Sequence, residues 1–253
     1  MSDVIVIEPE NGRYAADLLL LHGLWTTSEI WQPVARGLAH RGWRCLLLER
    51  PESSLDETFD EWVARAEGAV RSLPSPPIAI GHDAGGLISL ALAGRGSVRG
   101  AIAVAPLLEG PRAFLPLGRR LLARMSRAPV PPPEPNSPYW RVTSETAAAR
   151  LRAAQVVESG VRIGSLRGAA LTPGAPKVAT LFVAQRDDAV VSPALVEITA
   201  RGVEADFRAL PGGHWGLVGE GLDPWMTELH RWIIRRAGES ILLLRGDEDL
   251  RDE

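Results

Sequence analysis

The chain has 253 residues and a mass of 27.3 kDa, enough for one large domain with a deep core or for two small ones. Hydrophobic residues make up 45% and charged residues 23%, which excludes a disordered or fibrous chain. The 28 basic and 31 acidic side chains exclude a basic nucleic-acid binder, and a single cysteine, Cys45, excludes an internal disulfide. No apolar run approaches the roughly 20 residues of a membrane span. The N-terminus MSDVIVIEPE lacks the basic start and long apolar stretch of a signal peptide. A soluble, cytoplasmic protein is expected, with no membrane or nucleic-acid partner; a homodimer is left open.

In chain order, residues 4–7 read as a short strand, followed by a turn at Glu10-Asn11-Gly12. The apolar run after Asp17, closed by His22-Gly23, fits a strand buried on both faces. Thr26, Thr27 or Ser28 caps a helix over about 29–40, ended by Arg41-Gly42, and residues 43–48 form the next strand. Ser53, Ser54 or Asp56 opens a helix whose Phe59, Trp62, Val63, Ala66 and Val70 share one face. Pro76-Pro77 ends it. A short strand at 78–80, a Gly-rich turn at 81–86, a buried helix at 87–93 and a strand at 98–105 follow. Alternation of this kind builds a mostly parallel sheet with helices on both faces.

Between Pro106 and Pro176 the rhythm changes. Residues 112–127 form a basic amphipathic stretch, with Arg112, Arg119, Arg120, Arg124 and Arg127 on a solvated face, a carboxylate-binding lid entrance being the alternative. Residues 129–138 hold six prolines, which no helix interior or central strand accepts. A helix spans about 145–157. Residues 106–176 thus read as a small helical lid inserted into a core of residues 1–105 and 177–253. Strands resume at 178–183 and 205–210, and a last helix covers about 224–236, with Trp225, Leu229, Trp232 and Ile233 on its apolar face. The apolar stub at 241–244 and the acidic tail have no assignment.

The sharpest feature is the strand–turn–helix Gly81-His82-Asp83-Ala84-Gly85-Gly86. Glycines two positions either side of a polar side chain suit a tight, strained turn that presents Asp83 at a helix N-terminus, where the dipole favours a carboxylate. A plain turn with Asp83 as cap would look the same. Three further signals fall at the ends of other strands: His22-Gly23-Leu24, Asp187-Asp188, and Gly213-His214-Trp215-Gly216. Loops after parallel strands converge on one edge, where ligands bind.

These motifs, with Val190-Val191-Ser192-Pro193, resemble the α/β-hydrolase superfamily over essentially the whole chain. The resemblance implies an α/β-hydrolase fold and a catalytic triad of Asp83, Asp188 and His214, in the order nucleophile, acid, base. It also implies an oxyanion hole from the amides of Leu24 and Ala84. The spacing to Ser192 favours Asp188 as the acid; Asp187 and Glu109 are the alternatives. Most members carry serine at the elbow. Aspartate there is similar to the branch of epoxide hydrolases and haloalkane or haloacid dehalogenases, in which the carboxylate attacks a saturated carbon and His-activated water hydrolyses the resulting ester. Dehalogenases place tryptophan where this chain has Ala84, whereas epoxide hydrolases generally use two lid tyrosines; of the two tyrosines here, Tyr14 and Tyr139, only Tyr139 lies in the lid segment, so the set is partial. An epoxide on a small apolar organic substrate is the leading expectation, with no cofactor and no metal. The alternatives are a lyase, a cyclase or an atypical ester or lactone hydrolase with Asp83 as base or electrostatic group, and a non-enzymatic ligand-binding or scaffold protein.

His22, Trp25, Tyr139, Trp140 and Trp215 are candidates for the pocket wall, with core packing as the competing reading for the aromatics and loop support for His22. His82 is expected to pack beneath the elbow. His40 and His230 read as surface or cap residues, and Trp31, Trp43, Trp62, Trp225 and Trp232 as core. Cys45 reads as an inert small hydrophobe. No cluster has metal-ligand spacing.

Overall fold

A computed structural model describes residues 4–51, 57–109, 129–169, 175–219 and 222–242. The expected caps Ser53, Ser54 and Asp56, the arginines of residues 112–127 and the chain beyond 242 lie outside them. Within the described residues the strands are β1 (Val4–Ile7), β2 (Leu18–Leu21), β3 (Cys45–Leu48), β4 (Ile78–His82), β5 (Gly100–Val104), β6 (Pro129–Val130), β7 (Glu158–Ser159), β8 (Ala179–Gln185) and β9 (Asp206–Leu210). The helices are α1 (Gln32–His40), α2 (Phe59–Arg71), α3 (Ala84–Arg95), α4 (Glu145–Ala154), α5 (Gly160–Ala169), α6 (Pro193–Gly202) and α7 (Asp223–Leu242).

Seven strands form one sheet in the order β1-β3-β2-β4-β5-β8-β9. Only β1 runs antiparallel to its neighbour. Helices cover both faces of the sheet, so β2, β3, β4 and β5 are buried throughout and read as continuous apolar runs. α1 packs with α7, and α2 with α3.

Local signals explain most boundaries. α1 begins three residues later than the sequence suggests, after a 3-10 turn at Ser28–Trp31, with Pro33 in its first turn where a missing N–H is harmless. Thr58 caps α2 in a reciprocal box: its hydroxyl accepts from Glu61 N–H, and the Glu61 carboxylate accepts from Thr58 N–H. α5 carries three glycines in ten residues, which hid it from the periodicity. α6, whose Ser192 cap accepts from Leu195 N–H, was not anticipated either, and α7 takes in the start of the apolar stub. In the insert, β6 and β7 form a two-stranded ribbon, which a Pro-rich segment can supply at an edge.

Among the described residues no helix is long and apolar enough to cross a membrane.

Candidate active site

The C-terminal ends of β2, β4, β8 and β9 bring four loops to one edge. At the end of β4 the chain turns sharply into α3 through Asp83, whose φ of 58° and ψ of −121° lie where side chains are rarely accommodated. The flanking glycines make this turn possible. A Cβ on Gly81 would sit 1.9 Å from the carbonyl oxygen of Gly85, and one on Gly85 would sit 2.2 Å from that of Leu21.

The turn aims the fully buried Asp83 carboxylate in two directions. Oδ1 accepts N–H bonds from Leu24 at 2.9 Å and Ala84 at 2.5 Å. Oδ2 faces His214 Nε2 at 3.2 Å and accepts from the Tyr139 hydroxyl at 3.1 Å. The same hydroxyl lies 3.2 Å from the carbonyl oxygen of Leu24.

His214 Nδ1 donates to Asp188 Oδ2 at 2.9 Å. The other Asp188 oxygen accepts from the amides of Val190 and Val191 at 2.7 and 3.0 Å. Asp187 and Glu109 are both exposed, and neither bonds to His214 among the described contacts. The Asp187 amide instead ties the acid loop to the histidine loop through Gly212 O. Burial opposes a charged His214, but the Asp188 and Asp83 carboxylates outweigh it and raise its pKa to about 9. Burial also works against the Asp188 charge; His214 and the two amides prevail and hold its pKa below the usual value. Burial, reinforced by the Asp83 carboxylate, pushes the Tyr139 phenol well above 10, so it remains a proton donor.

Tyr139 is held among aromatic rings, with Trp25, Trp140 and Trp215 edge-on at centroid distances of 5.5, 4.7 and 5.6 Å. Trp140 stacks on Trp215, and the Trp215 indole N–H donates to Tyr139 O. Trp25 N–H groups reach Val130 O and Glu158 Oε2. His22 does not join this group: its Nδ1 donates to Gly23 O at 2.9 Å and its ring lies against Trp62.

The sequence reading missed a buried ionic cluster. Glu158 bonds to Arg162 at 2.7 Å and to Arg50 at 3.3 Å, and Arg162 reaches on to Glu57. It ties the insert to the core beside Trp25. His230, expected at the surface or as a cap, is half-buried, and its Nδ1 accepts the Trp43 indole N–H at 2.9 Å. His40 is exposed, and the five tryptophans read as core are buried. Burial pushes the Cys45 thiol up to about 12, leaving it inert. Among the described residues no group of acidic, histidine or cysteine side chains could hold a metal ion.

Comparison with curated proteins finds no match. Many solved structures share the fold. A monoglyceride lipase from Saccharomyces cerevisiae superposes with a TM-score of 0.73 at 15% identity, over 92% of this chain and 91% of its own. A monoacylglycerol lipase from Paleococcus ferrophilus gives 0.70 at 16%, over 92% and 97%. An esterase from Thermogutta terrifontis gives 0.68 at 18%, over 92% and 93%. At these identities the likeness speaks for the fold. The family model described as the alpha/beta hydrolase family matches residues 18–224, and with that match spanning most of its length the chain belongs to the alpha/beta hydrolase family.

Proposed function

We propose that the protein is a hydrolase that opens epoxides through a covalent ester on Asp83. One observation carries this reading: the two amides placed to form an oxyanion hole, Leu24 and Ala84, already hold Asp83 Oδ1. They serve the carboxylate itself and leave Oδ2 as the attacking oxygen. An ester substrate would need those amides for its own carbonyl, and attack on it would give a mixed anhydride. This arrangement favours displacement at a saturated carbon over ester hydrolysis.

In the first step Oδ2 bonds to an epoxide carbon, the carbon–oxygen bond of the ring breaks, and the oxygen takes the Tyr139 proton. At neutral pH His214 starts as the imidazolium, with its pKa near 9. Alkylation removes the Asp83 charge, one of the two that held the proton there, and the proton passes to the phenolate. The neutral imidazole then takes a proton from water as its oxygen attacks the Asp83 carboxyl carbon. Charge builds on Oδ1, between amides already in place. Collapse expels the diol, whose alkoxide takes the proton from His214, and the Asp83 carboxylic acid left behind passes its own proton to His214, which restores both the carboxylate and the imidazolium. Asp188 fixes the tautomer of His214 and offsets its charge. The insert of residues 106–176 acts in this scheme as the lid, and the rings of Trp25, Trp140 and Trp215 favour a small apolar substrate.

Replacing His214 with glutamine should block only the second step. Incubation of this variant with styrene oxide is expected to add the mass of the epoxide to the peptide containing Asp83. If no adduct forms with aryl or alkyl epoxides or with alkyl halides, the covalent route fails.

A further inference from the structure

His82 and Gln185 lie outside the set of groups that would touch a substrate, yet both converge on one atom of the histidine loop. The backbone carbonyl oxygen of His214 accepts from His82 Nε2 at 2.8 Å and from Gln185 Nε2 at 2.7 Å. We propose that His82 and Gln185 are positioning residues that aim the His214 ring by clamping its own backbone carbonyl.

Both donors are fully buried, and they use both lone pairs of the oxygen. A carbonyl only accepts, so His82 carries its proton on Nε2 and leaves Nδ1 bare. Nδ1 has no partner, a burden an apolar side chain of the same size would not bring. Burial, with the neighbouring His214 charge, holds the pKa of His82 down to about 3, so beside the charged His214 it is a neutral donor. Gln185 grips the loop a second time: its Oε1 accepts from Gly216 N–H at 3.0 Å, and a Cβ on Gly216 would lie 2.1 Å from that oxygen. The loop over residues 211–216 therefore wraps the Gln185 side chain and carries His214 with it. The clamped oxygen is two bonds from the Cα of His214, so holding it restrains the backbone that carries the imidazole. That ring sits between Asp188 at 2.9 Å and Asp83 at 3.2 Å, with Tyr139, Trp215 and His82 as its other neighbours. Small misplacements of a catalytic group cost large factors in rate.

The test is the NMR titration of His214 in the intact protein, for wild type and for His82→Phe, His82→Gln and Gln185→Leu. A glutamine side chain places an N–H donor close to where His82 Nε2 lies. His82→Phe and Gln185→Leu are expected to lower the His214 midpoint by about one unit or more, as the ring drifts from its carboxylates, and His82→Gln to restore it. Gln185→Leu carries the same arm if His82→Phe does not fold. A midpoint that stays at the wild-type value in a folded variant lacking one donor, even with a lower Tm, would overturn the proposal. The consequence for rate rests on the covalent reading above: hydrolysis of the Asp83 ester should slow about tenfold or more in His82→Phe while its formation is unchanged. If no adduct forms in any variant, that reading fails and the titration still decides the positioning role.

Discussion

Lowering the pH from 7 to 4.5 charges two rings in the unfolded chain that the folded chain keeps neutral. His22 and His82 are fully buried, and each has its pKa pushed down to about 3. For His22 burial dominates and the guanidinium groups of Arg162, Arg65 and Arg50 add to it; for His82 burial is joined by His214. In the unfolded chain both titrate near 6.5. Between pH 6.5 and 3 the unfolded state therefore binds protons that the folded state refuses, and stability falls as pH falls. Each ring contributes about 1.4 kcal/mol per pH unit, the pair about 2.7. Over two units the loss reaches about 5 kcal/mol, comparable with the whole stability of many domains. His230, also lowered, acts in the same direction. His214 adds no slope here, because below pH 6.5 both states hold its proton; its contribution is full below that pH and is lost as pH rises through about 9. Asp188, with its lowered pKa, begins to matter only below about 4. Stability should therefore peak near pH 6.5. Urea unfolding followed by the fluorescence of the eight tryptophans, from pH 7.5 to 4.5, measures the slope. His22→Gln should roughly halve it. Equal slopes for wild type and His22→Gln would refute the assignment of the acid loss to these rings.

Three further outcomes follow from the geometry. Gly85→Ala drives a methyl against the backbone oxygens of Leu21 and His22, at 2.2 and 2.5 Å, and should destabilise by about 2–4 kcal/mol in urea unfolding; an unchanged midpoint contradicts the packing. Glu158→Ala removes the buried carboxylate that the Arg162 and Arg50 guanidiniums share and should cost about 3–5 kcal/mol, part of which Arg162→Met recovers in the double variant; no recovery would argue against the ionic cluster as the cause. Tyr139→Phe removes the proton donor beside Asp83. Adduct formation from an epoxide should slow by about 10²-fold or more, whereas an alkyl halide, which needs no proton, should react as before. Equal losses on both would remove Tyr139 from the first step.

The parallel sheet was legible because its strands are unbroken apolar runs, and Leu18–Leu21 is buried at every position. The elbow was legible because steric contact requires glycine at 81 and 85. The spacing that favoured Asp188 over Asp187 has a physical basis, since from position 188 one carboxylate oxygen reaches the amides of Val190 and Val191. The contacts of His82 and Gln185 were hidden, because they join the ends of β4 and β8 to a loop far away in sequence. Glu158 and Arg162 look like any surface pair four residues apart; only the fold shows them buried. Helix α5 escaped because its glycines mask the apolar period and its stability comes from packing.

The covalent role of Asp83 is tested most directly by one turnover of an epoxide in oxygen-18 water, with excess enzyme. Water attacks the carboxyl carbon in the scheme above, so the label should enter Asp83 while the first diol leaves with an unlabelled oxygen from the enzyme. Label in the diol, with none in the Asp83 peptide, would contradict it.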